Sequence, residues 1–170
     1  MPMQTVQDLF EHELRNMLAG ERTLLDALAQ MARESADREI RKAFTQHRKQ
    51  TQGQIRRLER VFRMIGRRPD ASSCPGIDGL QKEKKTFMRQ RPSDELVEYC
   101  NIGAAQKVER YEISSYENLI DMADKLGLTD AVELLEENLQ EEEAALNTLK
   151  VFASEFDVTD EIEAEVQSRE

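Results

Sequence analysis

Apolar residues recur at alternating spacings of four and three along most of this chain, and at four places a glutamate occupies the position where the next one belongs. Phe10, Leu14, Met17, Glu21, Leu24, Leu28 and Met31 form one such seam. A second runs through Ile102, Ala105, Glu109, Glu112, Tyr116, Leu119, Ala123 and Leu126, and a third through Leu128, Val132, Leu135, Leu139, Glu142, Leu146 and Leu149. That period belongs to amphipathic helices packed face to face, and it excludes a sheet. A carboxylate inside a helical bundle needs a cation, a shared proton or dense hydrogen bonding, because burying it unpaired costs several kcal/mol or more. Glu21, Glu109, Glu112 and Glu142 are therefore the leading candidates for function.

The segment boundaries predict an all-α chain with four long helices. Thr5 followed by Asp8 reads as a capping box that opens a first helix running to about Glu34. Asp37 caps a second, carrying Ile40, Phe44, Leu58, Val61 and Ile65, which Gly66 and Pro69 end. Residues 66–92 form a long connection with a short helix expected from about Gly79 to Gln90. Ser93 or Asp94 caps the next long helix, Gly127 and Thr129 make a tight turn, and the last helix ends near Phe156. Two antiparallel hairpins joined by a long crossover define the ferritin-like four-helix bundle, here over residues 4–156. Residues 157–170, with six acids and one Arg169, read as a frayed or disordered acidic tail without assigned function.

Composition narrows the function classes. With 7 Gly, 4 Pro and no Trp in 170 residues, the chain is made for long helices and one core. A formal charge of −10 argues against nucleic-acid binding, which runs on excess Lys and Arg. No stretch approaches ~18 consecutive apolar residues, so no membrane partner is expected. The opening MPMQTVQDLFEHEL lacks a basic region followed by an apolar run, and Cys74 and Cys100 form no disulfide or zinc pattern. The expected location is the cytoplasm.

Register estimated from the turns places the acids at one level. With the first turn centred near residues 34–35, Glu21 lies opposite His47, Gln50, Thr51 and Gln54; with the second near 127–128, Glu142 neighbours Glu112. Lys and Arg are absent from the seams. Three readings are open: glutamates that lean out into water, a metal-free polar core hydrogen-bonded by Tyr116, His47, Gln50 and Gln54, or a carboxylate-rich metal site. Oxygen ligands would suit iron or manganese. The Glu-x-x-His pattern of di-iron bundles is missing, since Leu9 stands three before His12 and Phe44 three before His47.

The runs AGERTLLDAL, HRKQTQGQIRRLERVF, CPGIDGL, AAQKVERYEISSY and LLEENLQEEEAALNTLK resemble the YciF-like bacterial ferritin-like proteins over roughly residues 4–156. The resemblance implies a ferritin-like bundle with an extra crossover helix, a homodimer, a metal site at mid-bundle and a part in bacterial stress responses, with no established reaction. Where that family carries an acidic pair after the histidine of the second helix, this chain reads His47-Arg48-Lys49-Gln50-Thr51; Arg110 and Leu146 also depart from its pattern. A neutral Gln50 cannot bridge two cations as a carboxylate does. The expectation is thus a degenerate site that binds one ion through Glu21, Glu109, Glu112 and Glu142, with His47 and Gln50 as auxiliary partners, in a protein to which no catalytic residue is assigned. The alternatives are a di-iron oxidase or peroxidase-like activity and a metal-free structural or interaction bundle.

Overall fold

The start of each hairpin is fixed by a side-chain oxygen that replaces a missing backbone acceptor. Thr5 Oγ1 accepts from the Asp8 amide at 3.1 Å while Asp8 Oδ2 accepts from the Thr5 amide at 2.9 Å. Asp37 Oδ1 takes the Glu39 and Ile40 amides at 2.7 and 3.0 Å, and Ser93 Oγ takes that of Leu96 at 3.3 Å. Such caps contribute about 1 kcal/mol each. In the computed structural model, which describes residues 3–71 and 73–156, they precede three of five helices: α1 (Val6–Glu34), α2 (Arg38–Met64), α3 (Pro75–Met88), α4 (Asp94–Lys125) and α5 (Thr129–Glu155).

Helix ends follow the same logic. After α4, the Leu128 amide bonds Ala123 O and the Gly127 amide bonds Asp124 O, both at 2.9 Å. This paired closure needs a residue at positive φ, which Gly127 supplies at 70° without the clash a Cβ would bring. Gly66, at φ 69°, closes α2 in the same way. Because the turns are so short, α1 with α2 and α4 with α5 form antiparallel hairpins. The hairpins pack with α1 against α4 and α2 against α5, leaving α1–α5 and α2–α4 as the diagonals, while α3 lies across α4 and α1. The expected ferritin-like bundle with an additional crossover helix is the fold observed.

Two elements depart from expectation. The crossover helix spans Pro75–Met88 and not Gly79–Gln90, because Pro75 occupies the first turn, where its fixed φ suits a helix and its missing N–H costs nothing. On α5 the inward arc is broader than the expected seam. Val132 and Leu139 are half-buried, while Ala131, Leu134 and Asn138 are buried, since α5 must face α4 and α2 at once. The tail at 157–170 lies outside the described residues. Among the described residues no helix is long and apolar enough to cross a membrane.

The core is divided in two. Phe10, Leu14, Leu58, Phe62, Leu119 and Leu135 belong to one apolar cluster, and Leu24, Leu28, Met31, Phe44, Ile77 and Ile102 to the other. Burying a Leu or Phe contributes roughly 1.5–3 kcal/mol, so each cluster is a substantial hydrophobic clamp. Between them lies a layer that is polar on all four long helices.

Candidate metal centre

The polar layer is assembled one turn at a time. Glu21 comes from α1; His47, Thr51 and Gln54 from successive turns of α2; Glu109, Glu112 and Tyr116 from α4; Asn138 and Glu142 from α5. All are buried, and Glu21, Glu112 and Glu142 have no exposed surface at all. The alternating three- and four-residue steps that build the apolar seams put these side chains inside, so the backbone has no freedom to turn them toward water.

His47 joins the diagonal helices. Its Nε2 lies 3.4 Å from Glu109 Oε1 and 3.5 Å from Glu142 Oε2. One donor atom each from His47, Glu109, Glu112 and Glu142 falls within 4.8 Å of all the others. Both oxygens of Glu112 and of Glu142, Glu109 Oε2 and His47 Nδ1 have no hydrogen-bond partner among the described residues. Burial, and then repulsion among the neighbouring acids, holds the carboxyls of Glu109 and Glu112 well above the ordinary carboxylate range.

Glu21 is handled differently. It stands outside the four-residue set, and its Oε1 accepts a hydrogen bond from the Tyr116 hydroxyl. Tyr116 Oη in turn accepts from Asn138 Nδ2 at 3.0 Å, and Asn138 Oδ1 accepts from Arg57 Nη1 at 3.0 Å. Arg57 also bonds Glu141 at 2.5 Å and Glu137 at 2.7 Å. A cation thus reaches the edge of the layer from outside the seams, which themselves carry no Lys or Arg. Burial and the charge of Glu142 still push Glu21 upward, against the Tyr116 hydrogen bond and the Arg57 charge. Gln50 is half-buried and lines a cavity beside His47 and Glu109.

Most of these positions are legible in the seams, and three roles are not. His47, expected as an auxiliary residue, sits inside the closest cluster, where the 3.4 Å contact across the diagonal could not be read from helix period alone. Asn138 hides beside the expected seam residue Leu139. Arg57 adjoins the seam residue Leu58, and only the approach of α2 to α5 brings it to Asn138. The donor set tests well against a metal ion. Carboxylate oxygens with one imidazole suit iron or manganese, and a cation would satisfy oxygens of Glu109, Glu112 and Glu142 that lack partners.

A ferritin-like bundle with a buried histidine–carboxylate layer at mid-core is the class that fold and site define. Within it, the chain belongs to the family described as Domain of unknown function (DUF892), whose model matches residues 5–162. It is 36% identical over 145 residues to Protein YciF of Escherichia coli (strain K12), covering 85% of this chain and 87% of that protein. The crystal structure of the E. coli stress protein YciF superposes with a TM-score of 0.83 at 35% identity, over 89% of this chain and 96% of that one. YcfI from Rhodopseudomonas palustris gives the same TM-score, 0.83, at 37% identity over 86% and 94% of the two chains. The YciF-like resemblance of the sequence is thereby established.

Proposed function

We propose that the protein is a stress-associated, metal-binding bundle of the cytoplasm, working as a homodimer and holding one iron or manganese ion between its two apolar clusters. The observation that carries this reading is the convergence of four buried donor atoms, from His47, Glu109, Glu112 and Glu142, within 4.8 Å of one another. The stress association follows from the name of the E. coli relative. His47 would ligate through one ring nitrogen, Glu109 and Glu112 from one face of α4, and Glu142 from α5. Glu21, oriented by Tyr116, supplies a further carboxylate at the rim. When bound, the ion would supply Lewis-acid or one-electron chemistry to a buried, acid-rich pocket. The chain's own part is to fix the donors, flank them with the two apolar clusters, and hold protons on Glu21, Glu109 and Glu112 when the ion leaves.

A metal-free structural layer is favoured by one observation. The chain Arg57–Asn138–Tyr116–Glu21 is linked by hydrogen bonds as far as Glu21 Oε1 without an ion. Metal content per chain separates the readings, measured by mass spectrometry on untagged protein purified without chelator and again after anaerobic iron loading. About one equivalent, lost in Glu112→Ala, is expected. Two equivalents would reopen the di-iron oxidase alternative, and none after loading would leave the structural layer.

A further inference from the structure

The polar layer is not sealed on every side. Between α2 and α5 a cavity of about 200 Å³ runs in from the surface to His47 and Glu109. Its geometry follows from the same helix faces that carry the candidate ligands. On α2, Phe44, His47 and Gln50 succeed one another at one-turn spacing, and Ala43 lies one turn before His47. On α5, Ala145 and Leu149 continue outward from Glu142 on the same face. Leu28 of α1 closes the inner wall. Ala43 on α2 and Ala144 and Ala145 on α5 line the space, which leucines at these positions would fill.

Walls and floor differ in character. The walls are apolar, and among the described residues the rim adds the neutral polar groups of Gln46, Gln50 and Thr148. Among the described residues no acidic side chain lines the mouth to draw in a metal ion. The floor is polar and buried: His47 is 7% and Glu109 1% exposed, and His47 Nδ1 and Glu109 Oε2 lack hydrogen-bond partners among the described residues. An apolar tube ending on unpartnered polar atoms suits a molecule with an aliphatic body and a polar tip.

We propose that this cavity binds a short aliphatic molecule tail-outward, with an oxygen-bearing head group turned to His47 and Glu109. Placing the head group on a bound ion rests on the metal reading; the apolar site for the tail does not. The side of the layer bounded by His47 and Glu109 is then the face open to a small molecule, while the Glu21–Tyr116 side stays closed by Asn138 and Arg57.

Two measurements test it with different dependence on metal. In chelator-treated protein with labelled methyl groups, 1-hexanol should give saturable nuclear magnetic resonance shifts at Leu28, Ala145 and Leu149, and Ala145→Leu should abolish those at Leu28 and Leu149. In ferric-loaded protein, affinity along the series acetohydroxamate, butanohydroxamate, hexanohydroxamate should rise by roughly fourfold per buried methylene, read from the charge-transfer band. Ala145→Leu, or Ala43→Leu on the opposite wall, should flatten that rise while metal content stays unchanged. Equal affinity along the series together with no hexanol shifts overturns the proposal. Protein that takes up no iron yet shows the hexanol shifts overturns the metal reading and the head-group placement, while the aliphatic site stands.

Discussion

Glu112 carries the sharpest conflict in the molecule, with both carboxylate oxygens buried and neither hydrogen-bonded. Burial, then the charges of Glu21, Glu142 and Glu109, make its ionised form costly, so without a cation this residue works against folding at any pH where it is charged. Glu112→Gln keeps the shape and removes the charge. In chelator at pH 8 the variant should be more stable than the parent by on the order of 1–3 kcal/mol, measured by urea unfolding, and it should retain no metal. A variant that is less stable in chelator would mean that Glu112 is satisfied by groups other than an ion. Tyr116 offers the contrast. Held between Asn138 and Glu21, it already has a partner on each side of its hydroxyl, so its place in the layer needs no cation.

At the scale of elements, α3 shows what the layer does not depend on. It supplies no donor to the centre, and it is held to the bundle by Lys84, whose Nζ reaches Glu34 Oε2 at 2.8 Å, and by Gly76, over which the Tyr111 ring of α4 lies. A Cβ at Gly76 would run into that ring. Gly76→Ala should therefore cost about 1–3 kcal/mol of stability in urea while leaving metal content as it was; loss of metal along with stability would show that α3 braces the centre. The long helices were legible because their caps and apolar period agree: Thr5, Asp37 and Ser93 mark starts, and Gly66 and Gly127 mark ends. The crossover helix was misplaced because Cys74-Pro75-Gly76 reads equally as a turn. The packing of Ile77 and Cys74 against Gly20, together with Pro75 in the first turn, decides for helix. The acids of the layer were legible for the same reason as the helices, being exceptions to a strict period. Arg57 was not, because its reach from α2 to Glu137, Asn138 and Glu141 is a property of the α2–α5 contact and leaves no trace in local sequence.

For the whole molecule, metal and protons should compete for one layer that joins all four long helices. Glu21, Glu109 and Glu112 hold protons more tightly folded than unfolded, since their carboxyls lie well above the ordinary value of 4.5. From that value upward to the raised ones, the folded chain binds more protons than the unfolded one, so the metal-free protein loses stability as pH rises. Glu34 has the opposite sign. Burial tends to raise it, but hydrogen bonds from Lys84, Gln30 and Asn101 outweigh burial and hold it below 4.5, so its contribution is present above that value and lost as pH falls. Glu34 lies away from the layer and acts alike with or without metal, so it cancels in the difference between the two states. Ion binding requires deprotonated carboxylates and thus strengthens as pH rises. Melting temperatures with saturating Mn²⁺ and with chelator should accordingly converge near pH 5 and separate toward pH 8. At an ion concentration about 100 times the Kd, linkage gives about 2.7 kcal/mol, which for a domain of this size is a gap of about 5–10 °C. A gap that opens with pH, and closes in Glu112→Gln, ties the ion to these carboxylates; a gap constant from pH 5 to 8 would place it elsewhere on the acidic surface, and no gap at any pH would leave the layer to its hydrogen bonds.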